Sequence, residues 1–440
     1  MKTMDLGVRC GRLLVFENDK PVIKLNQWMG IEGSTIREIS PIRPEHRAQN
    51  EIDATDKLVI PGLINAHSHL PMTLFRGLAD DLPFHEWLFD YIVPLEAKLV
   101  NPDFVRLGTE LACYEALQHG VTTLHDMYYF ESDIADVCDK MGIRAVLGQT
   151  LWDWNPAPDD KEKKGLQKNL VTELVKKYSG HARIVPAIAP HAPYSCSTSL
   201  LEWCRDFARD HKIPLTIHVS ETKLEVENSL KEFGKTPVKR LHDLRYFDAK
   251  SSYAHAVHVN DDDIKILADS GIGVIHNPES NMKLGSGAAP IRKMLQAGVT
   301  VGLGTDGPAS NNDLNMFSEM RTAALLQKLV CSDNTALTAA QAVHMATLGS
   351  ARALGIDSLV GSLEIGKRAD FAVVDLSSPH MSPMHSECAQ LVYAATGQEV
   401  VLTVVDGKIV FDKTKPAHAS TVRRMEAFCR EKLGPELKKS

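Results

Sequence analysis

Apolar and polar residues alternate with the period of a β-strand from Leu6 to Phe16 and again from Pro21 to Ile39, broken by Gly and Asn. The same texture returns near the other end, at Asp370–Leu376 and Val400–Phe411, where Asp406-Gly407 predicts a hairpin turn. Two β-rich flanks around a different middle predict one small β domain made from both ends of the chain. In the middle, continuous apolar runs recur at 58–64, 121–125, 144–150, 183–189, 214–218, 251–256, 272–276 and 299–305. Most of the gaps between them carry helical periodicity. Phe104, Leu107, Leu111, Tyr114 and Leu117 step by three and four, and Leu314 to Leu329 reads similarly. Continuous strands alternating with helices predict a parallel sheet covered on both faces. Eight such units predict closure into an α/β fold of the (β/α)8 barrel type. The alternative is an open doubly wound sheet, but no G-x-G-x-x-G opens a helix after an early strand.

Composition narrows the class without naming a function. The 440 residues are 44% hydrophobic and 24% charged, the balance of a globular protein and not of a disordered or collagen-like chain. A net charge of −7 with no basic run argues against nucleic acid or an anionic membrane as partner. The eight cysteines include no C-x-x-C pair, which argues against a zinc ribbon or a thioredoxin-type site. MKTMDLGVRC lacks the apolar core of a signal peptide, and no run of 18 apolar residues occurs, so a cytoplasmic location is expected.

The chemistry lies where the apolar runs end. The first leads into His67-Ser68-His69, the second ends at His125-Asp126, and the fourth ends near His191. The fifth ends at His218, the sixth at His255, the seventh at His276-Asn277 and the eighth at Asp306. In a barrel these ends share one rim, where barrel enzymes build their sites. A lone histidine among 18 is usually a surface or satisfied residue. His67 and His69 are different, because residues i and i+2 of a strand share a face and present two imidazole nitrogens to a metal such as Zn²⁺. His218 adds a third candidate ligand, with Glu221 just beyond it in His-Val-Ser-Glu. An Asp before Gly is more often a turn residue, but Asp306 also ends the eighth strand and can complete the set.

The stretches PGLINAHSHLPMTLFRGLADDLPFHEWL, HVSE, AHAVH, NPESNMKLGSGAAPI and LGTDGPASNN resemble the amidohydrolase superfamily. Within it they are most similar to the 5-methylthioadenosine/S-adenosylhomocysteine deaminases, with triazine hydrolases and guanine deaminases as cousins. The resemblance covers essentially the whole chain. It implies a (β/α)8 barrel at 62–365 beside a small β-sandwich built from 1–61 and 366–440, the latter ending in a helical tail. It also implies one divalent metal, Zn²⁺ first with Fe²⁺, Mn²⁺ or Co²⁺ as alternatives, on the residues matching His67, His69, His218 and Asp306. Glu221 matches the proton shuttle. His255 matches the residue that orients the attacking water and leaving group, and Glu96 and His191 match nucleoside contacts.

The residues agree with that chemistry. A metal on three nitrogens and one oxygen brings the pKa of water down to roughly 7 or somewhat above, so that hydroxide is available near neutral pH. Glu221 would take the water proton and pass it to N1 of an adenine ring as C6 becomes tetrahedral, and ammonia would leave. His255 would hydrogen-bond the attacking oxygen, and Asp306 would take a proton as the intermediate collapses. Relatives with two metals bridge them through a carboxylated lysine in the fourth strand. Arg183–Ala189 contains no lysine, so a single metal is expected.

The loop after the third strand departs from the pattern. Some members of this branch carry arginines there that reach the substrate's 5′ substituent. Here Gln149 replaces one, and Lys161, Lys163 and Lys164 lie near the other. Trp152 and Trp154 either pack on an apolar 5′ group or simply cover the barrel end. Asn281 and Ser280 are candidates to reach the purine, and Phe75, Leu82, Phe84, Trp87 and Leu88 are candidates for an apolar wall. The leading expectation is deamination of 5′-modified adenosines. A guanine or pterin deaminase, an aminodeoxyfutalosine deaminase or a triazine hydrolase remains the alternative. A small-molecule nucleoside is the expected partner, and homo-oligomerisation is left open.

Overall fold

The computed structural model describes residues 4–43, 45–153, 161–415 and 419–434, with the side chains of 161–166 and 419 excepted. Two sheets organise the chain. The larger has eight strands in chain order: β5 (Leu63–Ser68), β6 (Val121–Tyr128), β7 (Arg144–Leu151), β8 (Ile184–Pro190), β9 (Leu215–Val219), β10 (Ser251–His255), β11 (Gly273–His276) and β12 (Val301–Leu303). Each neighbouring pair is parallel. The ends of the sheet meet, because Ser68 bridges Asp306 in parallel and the Asp306 N–H donates to the His67 carbonyl at 2.9 Å. This is the (β/α)8 barrel that the alternation predicts, and the open-sheet alternative fails at that closing contact.

The first expected run, 58–64, belongs to two strands. Its front half ends β4 (Ala48–Pro61) of the second sheet, and its back half begins β5. Gly62 makes the crossing. A Cβ there would lie 2.0 Å from Thr122 Oγ1, so a side chain would push the first barrel strand off β6.

The second sheet has seven strands in the order β15-β14-β13-β4-β1-β2-β3. The remaining members are β1 (Met4–Glu17), β2 (Lys20–Glu32), β3 (Thr35–Pro41), β13 (Phe371–Asp375), β14 (Val400–Val405) and β15 (Lys408–Asp412). Both chain ends therefore contribute, as the flanking β texture predicts. Alternation divides its side chains between two cores. Leu13, Val59, Phe371 and Val373 enter a core within the sheet, while Leu14, Leu58, Ile60, Ala372 and Val374 join the core shared with the barrel. Fully buried Arg144, at the start of β7, ties the two sheets together. It meets Asp370 at 2.8 Å and Asp406 at 2.6 Å.

The helix expected around Phe104–Leu117 spans Pro102–Gln118. Asn101 caps it by accepting the Asp103 and Phe104 N–H groups, and it stops before Gly120, whose φ is +74°. Its buried face is turned from the expected one. Val105, Gly108, Ala112, Cys113 and Ala116 are buried along with Phe104 and Leu117, while Leu107, Leu111 and Tyr114 are half-buried. Small residues win the inner position because the backbone comes close. A Cβ on Gly108 would lie 2.5 Å from the Pro71 carbonyl. The C-terminal helix Ala419–Phe428 packs on this same helix, with Thr421 donating to Glu110 at 2.6 Å and the Phe428 ring 5.8 Å from Phe104.

Candidate active site

Strand geometry brings the predicted ligands together. His67, His69, His218 and Asp306 each offer one atom, and those atoms lie within 4.8 Å of one another. It is the one such cluster of histidine, cysteine or acidic groups among the described residues. His67 Nε2 stands 3.3 Å and His69 Nε2 3.1 Å from Asp306 Oδ1. The neighbours aim the donors inward. His69 Nδ1 is engaged by the Met127 carbonyl at 2.6 Å, and His218 Nδ1 by the His191 carbonyl at 2.8 Å, which leaves both Nε2 atoms facing the cluster. Asp306 Oδ2 accepts from Ser280 Oγ at 2.6 Å and Ser310 Oγ at 2.7 Å, so Oδ1 is the free ligand atom.

The donor set fits a divalent cation. Neither ring nitrogen of fully buried His67 makes a protein hydrogen bond, an arrangement that is costly unless something else engages the ring. Three imidazole nitrogens and a carboxylate suit a borderline metal. Burial lowers the His67 pKa to about 4 and pushes His218 well below its ordinary range. Burial acts against the charge on His69 too, but Asp306 beside it lifts that group to about 9. Burial would raise the Asp306 carboxyl, yet His67 and His69 hold it well below the usual range. A cation would compete with the proton on His69 for the same carboxylate.

Residues at or just past the strand ends take left-handed backbone, among them Ser220 (φ +54°), His255 (φ +72°), Ala256 (φ +46°) and Asp306 (φ +65°). For non-glycine residues this costs roughly 1–2 kcal/mol each, held in place by surrounding contacts. Glu221 follows Ser220 and comes within 3.8 Å of His255 Nε2. Burial raises the Glu221 pKa above the usual carboxylate value. His255 Nδ1 is hydrogen-bonded to Asn281 Oδ1 at 2.9 Å, which turns Nε2 toward Glu221.

A cleft of about 970 Å³, measured out to its mouth, opens over this cluster. His69, His191, His218, Glu221, His255, Asp306 and Glu96 all line it. Burial pushes Glu96 up to about 7, offset in part by the Tyr128 hydroxyl, and its Oε1 makes no protein hydrogen bond. Burial lowers His191 to about 4, and its Nδ1 pairs with Ser195 Oγ at 2.7 Å. Phe84, Trp87, Leu88, Phe89 and Val93 form one wall and Trp152 another. Over Trp87–Ile92 the helix widens, with the Val93 N–H reaching the Leu88 carbonyl five residues back. Pro94, which cannot donate, follows at once.

Several expectations need correction. Gln149 does not line the cleft. It is buried, its amide oxygen accepts the Glu131 N–H at 3.2 Å, and its amide nitrogen donates to the Thr150 carbonyl at 3.3 Å. Alternation explains this, because its neighbour Thr150 takes the cleft side. Asn281 and Ser280 do not line the cleft either; they brace His255 and Asp306. Phe75 is core, with its ring 5.0 Å from Phe104. Trp154 lies outside the described residues, as do the side chains of Lys161, Lys163 and Lys164. Sequence reasoning passed over Glu225, a buried carboxylate behind Glu221. The Thr-x-x-Glu spacing from Thr222 is the signal that could have drawn attention to it.

Residues 58–410 match the model of the amidohydrolase family. The chain is 41% identical over 410 residues to a 5-methylthioadenosine/S-adenosylhomocysteine deaminase of Caldanaerobacter subterraneus subsp. tengcongensis, covering 93% of this chain and 94% of that one. It is 42% identical over 382 residues to a 5′-deoxyadenosine deaminase of Methanothermobacter thermautotrophicus, covering 86% and 88%. Its fold superposes with a TM-score of 0.93 on the crystal structure of an adenosine deaminase from Xanthomonas campestris with bound zinc, at 35% identity and covering 98% and 99% of the two chains.

Proposed function

This chain belongs to the amidohydrolase family, and on that premise we propose that it deaminates adenosines modified at the 5′ position, yielding the inosine analogue and ammonia. It is a hydrolase of C–N bonds in cyclic amidines. The observation that carries the substrate reading is the joint presence, in one cleft, of a four-donor cluster, the adjoining Glu221–His255 pair and the separate carboxylate Glu96. A bare ring has no use for Glu96, whereas a ribose diol can donate both hydroxyls to it. That favours nucleosides over guanine, pterins and triazines.

His67, His69, His218 and Asp306 would hold one divalent ion, most readily Zn²⁺. When bound, such an ion acidifies water and supplies hydroxide near neutral pH. Glu221 takes a proton from the attacking water and delivers it to N1, which makes C6 electron-poor as the C–O bond forms. Its burial-raised pKa suits a group that must both accept and give a proton. His255, with Nδ1 fixed by Asn281, presents Nε2 to the attacking oxygen. Asp306 accepts the remaining proton and passes it to the amino nitrogen, so that ammonia leaves as the C–N bond breaks. His191, neutral at pH 7, hydrogen-bonds the nucleoside.

Among the described residues no lysine or arginine lines the cleft itself, where aromatic and aliphatic groups dominate the outer wall; the cation next to it is Lys231, in an adjoining groove that shares Phe84, Phe89, Tyr194 and Glu221 and also carries Glu225 and Glu232. This supports a methylthio, deoxy or other apolar 5′ group, with Trp152 packing on it, over a charged homocysteine tail. A cytoplasmic setting is supported by eight free cysteines and by the absence, among the described residues, of a helix long and apolar enough to cross a membrane. The test is a panel of methylthioadenosine, 5′-deoxyadenosine, S-adenosylhomocysteine, adenosine, guanine and a chlorotriazine. Ammonia release and the adenine-to-hypoxanthine absorbance change are followed. The two apolar 5′-modified adenosines should have the highest kcat/KM. Turnover confined to guanine or the triazine would overturn the reading.

A further inference from the structure

We propose that Glu225 is a positioning residue that aims Glu221, an inference resting on the proton-transfer role proposed for Glu221. Thr222 caps the Lys223–Phe233 helix, its hydroxyl accepting the Glu225 N–H at 3.2 Å. In a capping box the glutamate at this spacing reaches back to the N–H of the capping residue itself. Glu225 reaches further. Its two carboxylate oxygens accept the N–H groups of Ser220 at 2.9 Å and Glu221 at 2.8 Å. Those two residues form the bend that follows β9, and Ser220 is one of the left-handed residues, which a free chain would leave.

The rest of the bend is braced on its other side. The Ser220 carbonyl accepts the His258 N–H at 2.8 Å and the Val219 carbonyl accepts the Ala256 N–H at 3.0 Å, joining it to the segment just past His255. Glu225 is absent from the lining of the cleft over the metal-type cluster and borders the adjoining groove; both its carboxylate oxygens are taken by the backbone N–H groups of Ser220 and Glu221, so it acts through the backbone of Glu221. A carboxylate matches two parallel N–H donors. A glutamine of the same shape would turn its NH₂ toward one of them.

The experiment uses the full-length, metal-loaded protein and compares Glu225→Gln, Glu225→Asp, Glu221→Gln and the double variant Glu221→Gln/Glu225→Gln. Misplacing a reacting group by about 1 Å costs up to ~100-fold in rate, so Glu225→Gln should lower kcat ~10- to 100-fold. KM and metal content should hardly change. Glu225→Asp keeps the charge but reaches one N–H and should fall between; it carries the same readout if the glutamine variant does not accumulate as folded protein. In the Glu221→Gln background the second substitution should cost less than ~3-fold, because there is no acid left to aim. Unchanged kcat in Glu225→Gln, a loss shared equally with metal content, or a full additional loss in the double variant would each overturn the proposal. Full turnover of Glu221→Gln alone would instead overturn the proton-transfer reading beneath it.

Discussion

Glu221 is buried and Glu96 half-buried in the same cleft, and their expected uses differ. Glu221 lies against His255 beside the donor cluster, so Glu221→Gln should lose ~10²- to 10⁴-fold in kcat while binding the same amount of metal. Retained turnover, or lost metal, would remove its assignment. Glu96 is held at about 7 by burial, above its ordinary 4.5. It is therefore neutral below that value and ionised above it, and the ionised form is the stronger acceptor for ribose hydroxyls. KM for ribonucleosides should fall as pH rises through this window and then level off. A 2′,3′-dideoxy analogue should show a flat KM, and the same slope with that analogue would exclude Glu96 as the diol acceptor. At this scale the candidate residues at strand ends were legible, because a ligand-type side chain there has few structural uses. Gln149 misled because one step along β7 exchanges the cleft side for the packed side. Asn281 misled because it sits on the Pro278–Lys283 helix while its partner, His255, ends β10.

Between elements, the site depends on how closely β12 approaches β5. Gly304, just past β12, has no room for a side chain: a Cβ would lie 2.7 Å from the His67 backbone nitrogen and 2.8 Å from Asn277 Oδ1. Gly304→Ala should therefore push Asp306 away from His67 and His69. Metal affinity should fall ~10- to 100-fold, measured by competition with a chelator. Wild-type affinity in that variant would show that the two strands can separate without opening the cluster. Element positions were legible from periodicity because burial on two faces demands long apolar runs. The inward face of the Pro102–Gln118 helix was not, since backbone proximity to Pro71 favoured Gly and Ala over the larger stripe.

Across the whole molecule, the joint between barrel and flanking sheet is an ion network. Arg144, with no exposed surface, meets Asp370 and Asp406, and the Asp406 N–H also donates to Asp370 at 2.8 Å. Removing one partner from a buried set leaves the others charged and unpaired. Arg144→Met should cost ~3–5 kcal/mol in urea unfolding, and adding Asp370→Asn and Asp406→Asn should return much of it. A loss below ~1 kcal/mol for the single variant would mean that apolar packing alone joins the two sheets. The members are 226 and 262 residues apart in sequence, a separation no local pattern spans.

Local rules operating within a few residues were sufficient for much of this protein. Alternation and helical spacing determined the strands, the count of eight and the β flanks, and the strand ends determined which residue types face one rim. What required the folded chain was everything set by contact between distant segments. The closing of β12 on β5 decided that the four candidate ligand atoms converge. The seating of Asn281 on His255 decided which nitrogen faces the cleft, and the reach of Glu225 to two backbone N–H groups decided where Glu221 stands. The physical reason is that a side chain's type and strand face are properties of its own segment, while its partner and its open direction belong to whatever packs against it.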